Sequence, residues 1–292
     1  MKAVIDLIGG TPMVLSKKLN PNPNVELWFK LEGQNPGGSI KDRAALHMIN
    51  TALAKGEIDS STHLIEATSG NTGIALAMIC AAYGLAIEIV LPENSSIERI
   101  KTMRAYGAKV TLTPASGQME AARDYASEKV IKEQYYSFNQ FDNPANSEAH
   151  YLSTGPEIWK DTSNKVTHFV ATMGTTGTIT GTGKFLKEMS EGISIHGVQP
   201  KEGAKIPGIR KWEEAYLPKI YNSSFVDVIN EVSEEEAIAF NRRLSNEEGI
   251  FAGISSGGAV KVGVDLCAQL EQGIVVCIIC DRGDRYLSTG IF

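Results

Sequence analysis

One polar segment near the start of the chain organises the rest of the sequence: Asn35-Pro36-Gly37-Gly38-Ser39-Ile40-Lys41-Asp42-Arg43. The two glycines allow a tight turn, and Ser39 is a suitable N-cap for a helix that begins at Ile40. Lys41 then lies in the first helical turn, where the helix dipole disfavours a cation by roughly 0.3–1 kcal/mol. The same field favours a neutral, nucleophilic amine. A lysine that simply faces solvent is the alternative, and the segment alone does not exclude it.

Strands and helices alternate along the rest of the chain. Residues 25–31 alternate like a strand, and apolar residues recur with helical spacing over 40–55. The pattern predicts further strands at 62–66, 86–91, 109–113, 166–172, 193–199 and 274–280, and helices at 74–83, 97–106, 118–133, 180–189, 234–247 and 257–270. Strands that are separated by helices form parallel sheets covered on both faces. The sequence therefore predicts an α/β fold.

These strand and helix units form two groups that divide near residues 140–149. We expect two domains, each an open, mostly parallel, twisted sheet flanked by helices. The smaller domain would comprise residues 36–145, and the larger one residues 1–35 together with 146–292. Polar loops follow the carboxyl ends of several strands, which is where open α/β sheets bind ligands. The active site is therefore expected in the cleft between the domains.

Composition narrows the classes of partner. The chain has 28 basic and 34 acidic residues and a net charge of −6, which argues against nucleic acid as a main partner. The apolar run 74–91 is broken at Tyr83-Gly84 and contains Glu88, so a helix followed by a strand is favoured over a membrane span. The apolar start is too short for a secretory signal, and four cysteines without regular spacing suit a reducing compartment. We expect a cytoplasmic protein without a membrane partner.

Cys277 and Cys280 form a C-x-x-C pair that could indicate redox chemistry. They lie in the predicted strand 274–280, where residues three apart point to opposite faces. A disulfide or a shared metal ion between them is therefore not expected. No metal site is predicted.

Three further polar loops lead into helices. Thr68-Ser69-Gly70-Asn71-Thr72-Gly73 could bind a carboxylate or a phosphate at a helix N-terminus, or be an ordinary capped turn. Gly174-Thr175-Thr176-Gly177-Thr178 is a stronger phosphate signal, because it follows a predicted strand and opens the next helix. Gly181-Thr182-Gly183 lies within that helix and is expected to allow close packing. Gly253-Ile254-Ser255-Ser256-Gly257-Gly258 could by itself be only another capped turn. Neither the P-loop motif nor the dinucleotide-binding G-x-G-x-x-G is present.

In this order, the four polar loops resemble those of the cysteine synthases, which are pyridoxal-phosphate enzymes of the tryptophan-synthase-β fold type, also called fold type II. The resemblance extends from Ile8-Gly9-Gly10-Thr11-Pro12 to Arg285-Tyr286-Leu287-Ser288-Thr289-Gly290. It implies pyridoxal 5'-phosphate as cofactor, an active site between two domains, and a homodimer. It also implies a C-terminal segment beyond Phe292, where this chain ends sooner than the family leads us to expect.

The functional residues of the family fall on matching positions. Lys41 matches the lysine that binds the cofactor covalently and transfers the substrate proton. Asn71 matches the residue that bonds the ring hydroxyl of the cofactor, and Ser255 matches the serine that faces its pyridine nitrogen. The phosphate cradle corresponds to Gly174, Thr175, Thr176, Gly177 and Thr178. The residues that bind the substrate α-carboxylate correspond to Thr68, Ser69, Asn71, Thr72 and Gln140.

The implied reaction is β-replacement by a transferase, in which O-acetyl-L-serine and sulfide give L-cysteine and acetate. Residues 206–212 and 280–285 most resemble cysteine synthase B, which can also use thiosulfate and then forms S-sulfocysteine. Arg210-Lys211 and Cys280-Asp281 could shape a roomier pocket for this larger nucleophile, which makes Arg210 a candidate substrate-binding residue. Alternatively, Arg210 and Lys211 only solvate a surface loop.

Several other functions remain open at this point. Within the fold type, the alternatives are cystathionine β-synthase, threonine synthase, serine dehydratase or a cysteine synthase that uses O-phosphoserine. A non-catalytic metabolite-binding relative would be expected to lose the lysine. A nicotinamide-dependent dehydrogenase would be expected to carry the dinucleotide-binding motif that is absent here.

Overall fold

The computed structural model describes residues 2–290, which contain nine β-strands and nine α-helices. The strands are β1 (Met13–Leu15), β2 (Val25–Leu31), β3 (Leu64–Ala67), β4 (Ile87–Pro92), β5 (Lys109–Thr113), β6 (His168–Thr172), β7 (Ser194–Pro200), β8 (Val228–Val232) and β9 (Gly273–Ile279). The helices are α1 (Lys41–Ala54), α2 (Asn71–Tyr83), α3 (Ile97–Ala105), α4 (Gln118–Glu133), α5 (Pro144–Ala149), α6 (Gly155–Asp161), α7 (Gly177–Met189), α8 (Glu234–Glu248) and α9 (Ile254–Gln269).

The strands form two sheets. The larger sheet has six strands in the order β1-β2-β9-β6-β7-β8, and the smaller has three in the order β3-β4-β5. All neighbouring strands are parallel except β1 and β2, which are antiparallel. Parallel sheets are covered on both faces, and all six residues of β4 are accordingly buried. The predicted α/β fold with parallel sheets flanked by helices is confirmed.

The two sheets draw on different parts of the chain. The smaller sheet uses only residues within 64–113, whereas the larger sheet uses segments within 13–31 and 168–279. This separation is compatible with the predicted division into residues 36–145 on one side, and residues 1–35 with 146–292 on the other. We retain that division as a proposal.

Three helices begin earlier than predicted, and all three begin beside the same cavity. Helices α2, α7 and α9 start at Asn71, Gly177 and Ile254, each three residues before the expected position. The predictions followed the apolar periodicity, which starts only after the polar first turn. Helix α1 begins at Lys41 instead of Ile40, and the Ser39 hydroxyl accepts a hydrogen bond from the Lys41 N–H at 3.3 Å.

Four short elements were not predicted, namely β1, β8, α5 and α6. Strands β1 and β8 have three and five residues, lie at the two edges of the larger sheet, and lack the alternating burial on which the prediction depended. Cys277 is buried in the core, as predicted, and Cys277 and Cys280 are both free thiols. Within residues 2–290, no helix combines the length and the apolar character that crossing a bilayer requires.

A buried cluster of charged side chains attaches α1 to the larger sheet. Arg43 Nε lies 2.7 Å from Glu32 Oε2, and Arg43 Nη1 lies 2.7 Å from Glu157 Oε1. Lys30 Nζ, which is fully buried, lies 2.8 Å from Glu157 Oε2. Burial opposes ionisation of Glu157, but the hydrogen bonds and charges of Arg43 and Lys30 lower its pKa to about 2. The cluster therefore consists of paired charges, and it holds the turn of α1 that carries Lys41.

We predict that Arg43→Met lowers the free energy of unfolding by about 3–5 kcal/mol, because the Glu32 carboxylate is left buried without its partner. Chemical denaturation at pH 7 measures this loss. Arg243→Met is the matched control, because Arg243 pairs with Glu247 at the partly exposed surface of α8 and should cost less than about 1 kcal/mol. Equal losses in the two variants would contradict the role assigned to the buried cluster.

Candidate active site

The polar loops predicted from the sequence meet at one cavity of about 250 Å³. It is lined by residues that follow β3, β6 and β9 and by the first turns of α1, α2 and α9. Gly177 lies just behind the wall, where it packs against the Asn146 side chain. The predicted site residues that line the cavity are Lys41, Thr68, Ser69, Asn71, Thr72, Gln140, Gly174, Thr175, Thr176, Thr178, Arg210 and Ser255.

Lys41 is the first residue of α1, and its side chain lines this cavity instead of facing bulk solvent. Burial lowers the pKa of Lys41, while the nearby Cys280 and Asp281 act in the opposite direction. The position at a helix N-terminus also disfavours the ammonium form. The structure therefore favours a neutral amine, which is the form that can act as a nucleophile or a base.

The loop between β6 and α7 forms a cradle suited to an anion. Thr176 has a left-handed backbone with φ +68°, which turns successive N–H groups inward at the start of the helix. Its hydroxyl is buried without a hydrogen-bond partner in the described part of the chain, and the residue lines the cavity. Gly174 has no room for a side chain, because a Cβ atom there would lie 2.6 Å from the Gly208 carbonyl oxygen. These features fit a phosphate group.

The Asn71 side chain is held in one orientation by two residues that follow β9. Arg285 Nη1 donates to Asn71 Oδ1 at 2.6 Å, and Asn71 Nδ2 donates to Asp281 Oδ2 at 2.7 Å. The Tyr286 hydroxyl donates to the same Asp281 oxygen at 2.7 Å. Arg285 also donates to the Gly37 carbonyl, in the turn before Lys41. An amide nitrogen has two N–H groups, so Asn71 keeps one donor for a ligand in the cavity.

The first turn of α2 offers a second set of donors. Thr72 Oγ1 donates to Gln140 Oε1 at 2.6 Å, and both side chains are buried. This bond occupies the carbonyl oxygen of the Gln140 amide, so its nitrogen remains a donor for an anion. Thr68 and Ser69 line the same wall. The arrangement suits a carboxylate at the helix N-terminus.

Arg210 and Lys211 have different environments, which separates the two interpretations offered for them. The Arg210 guanidinium lies 5.4 Å from the Trp212 ring and 6.0 Å from the Phe141 ring, within the cavity lining. Burial lowers the pKa of Arg210. The charge of Arg123 has a smaller effect in the same direction, and Glu120 acts in the opposite direction. Lys211 instead forms ion pairs with Glu231 at 2.9 Å and Glu202 at 3.4 Å. Only Arg210 is in a position to meet a ligand.

Sequence reasoning missed three polar residues that line the cavity, Arg99, Arg123 and Tyr286, and it missed Arg285, which orients Asn71 from behind the wall. Asp281 was expected only to shape the pocket, and its hydrogen bond with Asn71 was not foreseen. Asp281, Arg285 and Tyr286 follow β9, so the rule that ligands bind beyond the carboxyl ends of strands would have found them. Arg99 and Arg123 lie on α3 and α4, where no local pattern distinguishes them from solvated charges.

Comparison with known proteins gives a consistent result. A sequence profile of the family described as pyridoxal-phosphate dependent enzymes matches residues 4–281. Cysteine synthase B of Escherichia coli (strain K12) is 50% identical over 292 residues, covering 100% of this chain and 96% of the relative. Cysteine synthase B of Salmonella typhimurium is 51% identical with the same coverage. The crystal structure of cysteine synthase from Entamoeba histolytica has a TM-score of 0.95 at 34% identity, covering 100% of this chain and 90% of that one.

We predict that Lys41 makes the stability of the ligand-free protein increase with pH in the alkaline range. Because burial lowers the folded-state pKa below the usual 10.5, the unfolded chain binds this proton more tightly. Stability therefore rises as the pH increases from the folded-state value toward 10.5. Lys41→Met should exceed the parent in stability at neutral pH, and the difference should shrink on approaching pH 10.5.

Denaturant titrations at several pH values measure this difference. Lys101→Met, on the exposed face of α3, is the matched control and should follow the parent at every pH. A difference between Lys41→Met and the parent that does not vary with pH would contradict the assigned environment of Lys41.

Proposed function

This chain belongs to the cysteine synthase family of pyridoxal-phosphate dependent enzymes, and on that basis we propose that it is a transferase making L-cysteine from O-acetyl-L-serine and sulfide. One observation supports the proposal most strongly. The Lys41 amine, with a lowered pKa, shares a cavity with an anion cradle, the Asn71 amide and the buried Ser255 hydroxyl. These are the groups that pyridoxal phosphate and an amino-acid substrate require.

The donors of the cavity fit pyridoxal phosphate. The unpartnered Thr176 hydroxyl and the first-turn N–H groups of α7 would hold the phosphate, together with Gly174, Thr175, Gly177 and Thr178. The free N–H of Asn71 would bond the ring hydroxyl. Ser255 would face the pyridine nitrogen with a hydroxyl instead of a carboxylate. This choice makes the ring less electron-withdrawing and suits elimination at the β carbon.

When bound, pyridoxal phosphate supplies an electron sink that makes the substrate Cα–H acidic and allows acetate to leave from the β carbon. Lys41 Nζ would remove the Cα proton and later return it, which requires the neutral amine that its burial favours. Thr68, Ser69, Thr72 and Gln140 would bind the α-carboxylate and hold the substrate so that its Cα–H faces Lys41. Lys41 is the one lysine among the described residues of the cavity wall.

We further propose that thiosulfate can replace sulfide, which would give S-sulfocysteine. Arg210 is held by stacking on Trp212 and Phe141, and this leaves its N–H groups for an anion. The Arg123 guanidinium lies 5.5 Å from the same Phe141 ring and adds a second positive charge. The two positive charges attract thiosulfate, a dianion, more strongly than they attract hydrosulfide, a monoanion. Cys280 lines the same cavity, with its Sγ atom 3.3 Å from Thr172 Oγ1.

We also propose that the protein is a cytoplasmic homodimer. The resemblance to the family supports this assembly. Several large apolar side chains are exposed in the single chain, among them Leu7, Leu152 and Tyr216. Sedimentation analysis of the purified protein would measure the assembly directly.

We predict that Lys41→Ala lowers turnover by roughly 10²–10⁴-fold or more, because alanine cannot transfer the Cα proton. The parent protein loaded with pyridoxal phosphate should show a visible absorbance band that moves on adding O-acetylserine and returns on adding sulfide. The variant should lack this cycle, and Lys101→Ala should keep it. A parent protein that stays colourless after supplementation with the cofactor would refute the proposed function.

We predict that Arg210→Met raises the KM for thiosulfate by about tenfold or more, because a hydrogen bond to a charged group contributes about 1.5–3 kcal/mol. The KM for sulfide should change far less. Lys211→Met is the matched control, since Lys211 is engaged by Glu231 and Glu202, and it should alter neither constant.

The pair Cys280-Asp281 is tested separately by replacing both residues with serine. If the pair shapes the pocket for the larger nucleophile, the variant should no longer use thiosulfate but should still use sulfide. Unchanged use of thiosulfate would remove the pair from the proposal and leave the role of Arg210 to be judged on its own variant.

A further inference from the structure

His150 is a buried histidine that the proposed mechanism does not use. It is 0% exposed and begins a π-helical segment, His150–Thr154, between α5 and α6. Such segments are rare and occur frequently at functional sites. The segment can pack closely on α7 because Gly181 has no side chain. A Cβ atom at Gly181 would collide with the Ser147 carbonyl and the His150 Cβ atom. The close packing predicted for Gly181 therefore places His150 against the helix that begins at the phosphate cradle.

His150 connects two threonine hydroxyls. Its Nδ1 atom lies 2.9 Å from Thr154 Oγ1, and its Nε2 atom lies 3.3 Å from Thr178 Oγ1. Thr178 lines the cavity and belongs to the predicted phosphate cradle. All three side chains are buried. The three groups form a continuous hydrogen-bonded chain that ends at the cavity.

Burial of this imidazole favours its neutral form. Burial is the main cause that lowers the pKa of His150 well below its usual value, and the charge of Arg43 acts in the same direction. Glu157 opposes this effect without reversing it. A neutral imidazole has one N–H donor and one acceptor nitrogen, so the chain of hydrogen bonds has a direction.

The direction decides what Thr178 presents to the cavity. If His150 Nε2–H donates to Thr178 Oγ1, the threonine keeps its own proton and can donate it to an anion. If the chain runs the other way, Thr178 gives its proton to Nε2 and presents only lone pairs, which repel an anion. A phosphate in the cradle therefore selects the first direction, in which Thr154 donates to Nδ1.

We propose that His150 is a positioning residue for the phosphate end of the cofactor, acting as the Nε2–H tautomer that directs the Thr178 hydroxyl proton at the phosphate. Once the phosphate has selected this direction, Thr154 stabilises the tautomer by donating its hydroxyl proton to Nδ1, which must then be the acceptor nitrogen. The inference rests on the proposed pyridoxal-phosphate site. His150 transfers no proton in this role and acts only on binding.

The tautomer can be observed directly in the cofactor-loaded protein labelled with ¹⁵N-histidine. The chain has five histidines, and the His150 signals are assigned by their loss in His150→Gln. We expect a neutral ring protonated at Nε2. A ring protonated at Nδ1, or at both nitrogens, would overturn the inference.

Binding measurements on the full chain stripped of cofactor provide the second test. Thr154→Val is nearly isosteric and removes the hydroxyl that stabilises the tautomer, so it should bind pyridoxal phosphate about three- to tenfold more weakly. Its affinity for pyridoxal, which lacks the phosphate, should not change. Thr182→Val is the matched control: Thr182 is fully buried on α7, its hydroxyl has no partner within residues 2–290, and both affinities should stay at the parent values.

Two variants of the histidine extend this test. His150→Gln carries an amide that can donate to Thr178 and should keep more of the affinity for pyridoxal phosphate than His150→Leu. If Thr154→Val weakens both ligands equally, or neither, the positioning role is refuted while the proposed function stands. If the parent binds neither ligand, the proposed function itself is refuted.

Discussion

Four helices begin at the wall of one cavity, and the unpaired N–H groups of their first turns dominate its chemistry. The first N–H groups of any helix have no partner within it, and burying them without one is costly. Helices α2, α7 and α9 carry glycine, serine, threonine or asparagine in their first turns, and the Ser39 hydroxyl accepts a hydrogen bond from the first N–H of α1. The result is a cavity whose positive field suits carboxylate and phosphate groups and disfavours a protonated amine at Lys41. The same field that suits anions thus adds to the effect of burial on the Lys41 amine.

Such a site is useful only if the first turn of α1 is held firmly, because Lys41 lies in it. Two separate networks do this. On one side, Arg43 is paired with Glu32 and Glu157 in a buried cluster. On the other, Arg285 bonds the Gly37 carbonyl and the Asn71 side chain at once. Arg285 thereby connects the turn before Lys41 to the first turn of α2. Lys41 and Asn71, two of the proposed cofactor contacts, are thus positioned by the same side chain.

The sequence predicts the fold class and the location of the site well, because both follow from short-range patterns. Alternating strand and helix patterns give the parallel sheets, and polar loops after strands mark the cavity wall. Helices α2, α7 and α9 were predicted three residues late because periodicity cannot show a polar first turn. The partners of Asn71 could not be predicted in the same way, since Arg285 is 214 residues distant along the chain. The chemical roles given to the site residues remain predictions that the proposed variants test.

The order of strands in the larger sheet has a consequence for how the protein is made. Strand β9, which comes last in chain order among the described strands, lies between β2 and β6 near the middle of that sheet. Until it is synthesised, β2 and β6 lack a neighbour on the sides that it will occupy, and unpaired strand edges are prone to association with other chains. The residues that orient Asn71 follow β9, so the cavity of a nascent chain is incomplete until these residues have been synthesised. We therefore expect the cofactor to bind stably only after this late part of the chain has joined the sheet.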